Sequence, residues 1–111
     1  MEVIDLAKLP EAPLPSTEGE VTRRFFSGEQ MTVARISFSK GARLAAHKHV
    51  NEQFSFLLSG RMEFVIEGAV RMVGVGEMVH LPSQVTHEAR ALEESVVLDM
   101  FAPPRTEWHA P

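Results

Sequence analysis

An all-β fold, a small barrel or sandwich, is what this chain predicts, and three observations carry the expectation. From Val21 onward, short segments rich in Val, Ile, Phe and Met are cut by glycines at positions 28, 41, 60, 68, 74 and 76, leaving segments too short for most helices and usual for strands joined by turns. No heptad, internal repeat or low-complexity run competes with that reading. The chain has 111 residues, 44% hydrophobic and 23% charged, which fits one domain with a packed core and excludes both a disordered segment and two separate cores.

Residues 1–20 form an extended N-terminal arm and residues 21–111 the barrel. Pro10, Pro13 and Pro15, with Ser16, Thr17 and Gly19, deny the arm a continuous helix; a short stretch near Ala7 is the sole helical candidate. Strands are expected at 31–38, 54–58, 62–66, 70–75, 78–81 and 96–101. Their turns fall at Ser27-Gly28, Lys40-Gly41, Ser59-Gly60, Glu67-Gly68 and Gly74-Val-Gly76.

Charge and cysteine content narrow the chemistry. Eleven basic residues face fifteen acidic ones, a net charge of -4 without a basic stripe, so nucleic-acid binding is not expected. Arginine outnumbers lysine eight to three, which suits recognition of a small anionic molecule, since a guanidinium fork matches a carboxylate. With no cysteine, a disulfide scaffold, a thiolate zinc site and thiol catalysis are excluded. Any metal site must use nitrogen and oxygen. No stretch approaches the ~20 apolar residues of a membrane span, and the start lacks a basic segment followed by an apolar one, so a cytoplasmic protein without membrane contact is expected.

The histidines give the clearest functional signal. In extended chain, residues two apart share a face, so His47 and His49 converge, and the same parity selects Gln53 as an oxygen ligand while turning Glu52 away. A bulge or turn at Val50-Asn51 would reverse that choice and make Glu52 the ligand. His87, five residues past Pro82, is placed to bring a third imidazole to the mouth of a barrel. Three imidazoles and one oxygen would hold one divalent transition metal ion, Zn, Ni, Fe or Mn, with positions left for water or substrate. Taken alone, a histidine pair two apart on a strand is more often a surface or core pair than a metal site; the whole spacing favours the metal. His80 reads as a hydrogen-bonded structural residue and His109, in the tail, has no assigned role.

Residues 95–101 are apolar on both faces, as in a strand covered on both sides, yet include Asp99. A carboxylate buried there costs several kcal/mol unless it is paired or hydrogen-bonded. Two readings are open: a salt bridge to Arg105 or Arg35, or a general acid/base facing the metal, with Phe101 as an apolar wall on the same face.

The whole spacing, Gly41, five residues, His47-x-His49, three residues, Gln53, six residues and Gly60, then Gly76, five residues, Pro82 and His87, resembles the two signature motifs of the cupin superfamily. The likeness runs from about Arg24 to Arg105. It implies a single-domain jelly-roll β-barrel with one metal ion held by His47, His49, Gln53 and His87. Three positions depart from the common pattern: Gln84 where many members have glycine, Ala91 where many have asparagine, and Gln53 where glutamate is commonest. The last leaves the metal's charge uncompensated by protein, making it a stronger Lewis acid.

The ending Asp99-Met-Phe101-Ala-Pro-Pro-Arg105-Thr-Glu-Trp108 resembles, more narrowly, small cupins related to pectin-degradation proteins, which convert cyclic 4,5-unsaturated uronates into the open-chain keto form. That likeness implies Asp99 and Phe101 beside the metal and Arg105 as carboxylate binder, hence ring opening of an unsaturated uronate. An iron-dependent dioxygenase and a non-enzymatic ligand-binding cupin are the alternatives; a polyketide-cyclising role is disfavoured by the few aromatic residues. Phe54 and Phe56 should lie on the barrel exterior, so a homodimer is expected.

Overall fold

The computed structural model describes residues 1–15 and 18–109; Ser16 and Thr17 of the arm, and the side chain of His109, lie outside the described residues. Ten strands form two antiparallel sheets. The strands are β1 (Ala12–Pro13), β2 (Val21–Ser27), β3 (Thr32–Phe38), β4 (Arg43–His47), β5 (Glu52–Ser59), β6 (Met62–Ile66), β7 (Ala69–Val73), β8 (Met78–Leu81), β9 (His87–Ala91) and β10 (Ser95–Ala102). A six-stranded sheet runs β1-β2-β3-β10-β5-β8 and a four-stranded one β4-β9-β6-β7. Short 3-10 turns at Leu6–Lys8 and Thr106–His109 are the described helical elements.

Alternation fixes which side chains go inside. Along β3 every second residue is buried, Thr32, Ala34, Ile36 and Phe38, and β5 buries Gln53, Ser55 and Leu57 in the same rhythm. Ile36, Leu57, Met62 and Leu81 are the large apolar side chains sealed most completely, and they fill the space between the sheets. Gly60 closes the turn from β5 to β6 at φ +88, where a Cβ would lie 2.2 Å from Ser95 Oγ. Glycine is needed there on both counts.

Three expectations change. Strands also form over Val21–Ser27, Arg43–His47 and His87–Ala91, stretches whose mixed polar content hid their periodicity. The strand around Asp99 is covered on one side only: Val97 and Phe101 are buried, whereas Val96, Leu98 and Met100 on the outer face are half-buried. The outward-facing Phe54 and Phe56 are half-buried as well, Phe54 being stacked on the His80 ring with centroids 4.8 Å apart.

The arm is part of the barrel wall. β1 pairs with β2 at one sheet edge, Leu14 N–H donates to Val21 O at 2.8 Å, and a bridge between Glu18 and Arg43 reaches β4 in the other sheet. Described residues of the arm therefore contact both sheets, with Leu14 packed on the core. Among the described residues, no helix is long and apolar enough to cross a membrane.

Candidate metal centre and its cavity

A cavity of about 520 Å³ opens between the sheets beside the arm. That lies within the roughly 300–1,000 Å³ typical of small-molecule sites. His47 and His87 are direct cross-strand partners on β4 and β9, which sets their rings 4.4 Å apart between centroids. His49 lies beyond the end of β4, in the turn before β5, and still swings in to 5.7 Å from His47 and 5.1 Å from His87. One ring nitrogen from each of the three lies within 4.8 Å of the other two. The extended chain assumed between positions 47 and 53 is thus broken by a turn, and Gln53 still faces inward because β5 restarts in the same phase. Glu52 points outward and is paired with His80 at 2.7 Å, so that histidine has its hydrogen-bonded partner on the barrel exterior.

Hydrogen bonds prepare the imidazoles. Nδ1 of His47 lies 2.8 Å from Ala45 O, Nδ1 of His87 2.8 Å from Val85 O, and Nδ1 of His49 3.0 Å from Asn51 O. A carbonyl can only accept, so each Nδ1 carries the proton and each Nε2 presents a lone pair. Burial holds His49 and His87 below the usual imidazole range, His87 to about 4, with the backbone carbonyls pulling the other way. Both are neutral at physiological pH, as metal ligands must be.

Two contacts test whether these residues fit a cation. His87 Nε2 is buried without a hydrogen-bond partner. Gln53 donates its Nε2 to Ser55 Oγ at 2.9 Å, which turns Oε1 towards His49 Nε2 at 3.0 Å. Two acceptors facing each other repel unless a cation lies between them or the amide is turned over. An orphaned buried nitrogen and an acceptor pair are what a metal ion would satisfy. The donor set of three imidazoles and an amide oxygen fits a divalent transition metal.

The three other site residues expected from the sequence line the same cavity. Asp99 pairs across the sheet with Ser55, and Phe101 with Gln53, so both side chains face the imidazoles. Phe101 is buried and meets His49 edge to face at 5.9 Å. Asp99 is partly open to the cavity, but its Oδ1 is sealed and has no hydrogen-bond partner. Burial raises its pKa to about 7, against the pull of the Ser55 hydroxyl, the Arg105 charge and the Gln53 amide. The salt-bridge reading therefore falls away: Arg35 faces out beside Leu98, and Arg105 pairs with Glu107.

Arg105 is held from several directions. Its N–H donates to Thr32 Oγ1 at 2.9 Å, and its guanidinium lies 4.8 Å from the Phe101 ring and 4.6 Å from the Trp108 ring. Asn51, buried in the turn next to His49, donates to the carbonyls of Pro103 and Pro104 and ties the tail down. Sequence reasoning missed Asn51 and also Arg23, which enters the cavity from β2. The signal for Arg23 is its place between Val21 and Phe25, an arginine in the inward phase of an otherwise apolar set.

Comparison with known proteins identifies the family. The chain is 29% identical over 101 residues to the pectin degradation protein KdgF of Dickeya dadantii, covering 88% of this chain and 92% of that one. The structure of KdgF from Halomonas sp. superposes with a TM-score of 0.76 at 26% identity, over 86% of this chain and 91% of that one. A predicted oxalate decarboxylase from Thermotoga maritima shares the fold, with a TM-score of 0.80 at 16% identity over 91% and 98% of the two chains. The family profile described as a cupin domain matches residues 34–102, so with this jelly-roll architecture the chain belongs to the cupin family.

Proposed function

We propose that this cupin is a metal-dependent enzyme that opens the ring of 4,5-unsaturated uronates without redox change. The reading is carried by one observation: a sealed, unpaired carboxyl oxygen on Asp99 and the Arg105 guanidinium line one cavity with the His47 and His87 imidazoles, on which His49 converges. The likeness to KdgF supports the choice of substrate.

His47, His49, His87 and Gln53 would hold a divalent metal ion, which when bound would supply Lewis-acid polarisation of a ligand oxygen. Arg105 engages the uronate carboxylate, for which its fork geometry is suited. Asp99 takes the proton of the C1 hydroxyl; the bond from C1 to the ring oxygen breaks, its electron pair stays on that oxygen, and C1 becomes an aldehyde. The resulting enolate at C4–C5 gains a proton at C4 and becomes the 5-keto form. One proton leaves oxygen and one arrives at carbon, so a single carboxyl serves both transfers. Phe101 and Trp108 line the apolar wall.

The test is metal analysis of the purified protein followed by a screen of unsaturated uronates, read as loss of enol-ether absorbance. Accelerated loss that disappears in Asp99→Asn at unchanged metal content is the expected result. Loss at the spontaneous rate, or oxygen uptake with the bound metal, overturns the reading.

The same proposal includes a homodimer through the outer face of the six-stranded sheet. Phe26, Leu58 and Met78 are exposed there, and Met100 beside Phe54 and Leu98 beside Phe56 extend the apolar area across adjacent strands. Light scattering on the purified protein reads the mass directly; a monomer at micromolar concentration removes the dimer.

A further inference from the structure

A ladder of rings leads away from the imidazoles, and its two middle members, Phe101 and Trp108, line the cavity. His49 meets Phe101 at 5.9 Å, Phe101 meets Trp108 at 5.3 Å, and Trp108 meets Phe25 at 5.4 Å, each pair edge to face or steeply inclined. Two guanidiniums sit over this ladder, one interval apart. Arg105 covers Phe101 and Trp108, whereas Arg23 covers Trp108 at 4.9 Å and Phe25 at 5.1 Å.

Ring stacking alone leaves the charge of Arg23 unmatched. The residue lines the cavity, and its Nε is buried without a hydrogen-bond partner. Among the described residues no carboxylate lies within ion-pair distance of it, although its neighbour Arg24 pairs with Glu11 at 3.2 Å and Arg105 pairs with Glu107. A like charge, Arg105, shares the Trp108 ring with it. Partial burial and that like charge both work against an unpaired cation, and the two stacked rings offset this only in part.

We propose that Arg23, on Trp108 and Phe25, forms a second anion-binding position one step beyond Arg105, so that the cavity selects sugar-acid-sized ligands carrying two acidic groups. The second group, a carboxylate or a sulfate ester on the far end of the molecule, meets the Arg23 guanidinium while the first meets Arg105. This rests on the reading of the cavity as a sugar-acid site and adds to it a preference that ring opening alone does not require.

The experiment is calorimetric titration of the metal-loaded protein with galacturonate, which has one carboxylate, and galactarate, which has the same six carbons with a carboxylate at each end. Fluorescence of Trp108, the single tryptophan, reports arrival at this end of the cavity. Galactarate should bind about tenfold tighter or more, the worth of one charge-assisted hydrogen bond. Arg23→Gln should collapse the ratio and Arg23→Lys should keep most of it. Equal affinities in the unaltered protein, or a loss in Arg23→Gln that falls equally on both ligands, overturns the inference. Turnover of unsaturated uronates without a galactarate preference removes the inference and leaves the proposed reaction standing. An Arg23-dependent preference without turnover does the reverse, and absence of both binding and turnover removes the two together.

Discussion

The side-chain amide of Asn51 donates to the carbonyl of Pro103 and, at 3.4 Å, to that of Pro104, joining the turn that carries His49 to the tail that carries Arg105. The same residue's own carbonyl receives Nδ1 of His49. One buried asparagine thus sets the position of a proposed metal ligand through its backbone and of a proposed carboxylate binder through its side chain. Asn51→Ala removes only the second link. Leaving the proline carbonyls without a donor should cost about 1–3 kcal/mol in urea denaturation. KM for the uronate should rise with metal content unchanged, because the His49 contact is to the backbone. A fall in metal content with KM preserved contradicts this division of labour.

Asp99 gives a pH-dependent stability that can be read without substrate. Burial pushes its carboxyl up to about 7 in the folded chain, against an ordinary value of 3.8. Between those limits the unfolded chain releases a proton that the folded one keeps, so stability contributed by this group is greatest below about pH 4 and is lost as pH rises towards 7. The shift corresponds to a loss of up to about 4 kcal/mol. Asp99→Asn lacks the ionisable group. Measured by urea denaturation on chelator-treated protein, the variant should gain stability relative to the parent between pH 4.5 and pH 8. A constant difference between the two proteins across that range would show that Asp99 is not held protonated by burial.

Much of this site was legible because it rests on strict alternation. His87 and Phe101 fall where two-residue periodicity and spacing place them, and Gln53 does so despite an interrupted strand, since β5 restarts in phase after the turn at Val50 and Asn51. Arg23 was missed although alternation with Val21 and Phe25 puts it in the inward phase, because a charged side chain beside a second arginine reads as solvent-facing; its neighbour Arg24 does face out and holds Leu9 O at 2.6 Å. Only the packing of the tail, which brings Trp108 over β2, gives Arg23 an inward environment. The arm reads as a simple lead-in for a similar reason. Its role as a wall depends on a bridge between Glu18 and Arg43 that joins distant parts of the chain.

Gly60 offers a check on the barrel independent of the site. Its backbone is left-handed, and a Cβ would meet Ser95 Oγ at 2.2 Å and Glu94 O at 2.3 Å. The Ser95 hydroxyl cannot simply swing away, because Oγ accepts from Arg61 N–H at 3.0 Å and donates to Glu93 O at 2.8 Å. Gly60→Ala therefore adds backbone strain of about 1 kcal/mol and an overlap worth about 1–3 kcal/mol more. Thermal unfolding should show a loss of several degrees or more. Gly68→Ala, also at positive φ but with open space around it, should show the strain alone.

Gln53 decides how much charge the metal keeps. Gln53→Glu preserves the shape of the side chain, and Ser55, now the donor, can hydrogen-bond the carboxylate that replaces the amide nitrogen. The acceptor facing His49 Nε2 becomes an anion, so a divalent ion should be held about tenfold more tightly or better against a competing chelator. The added negative charge lowers the Lewis acidity of the bound ion and, lying close to Asp99, disfavours ionisation of that carboxyl further. Tighter metal retention with slower ring opening is the expected pair of outcomes. Slower turnover with weaker retention would mean that Gln53 Oε1 is not a ligand and that its partner at 3.0 Å, His49, is held by an ordinary hydrogen bond from the amide turned the other way.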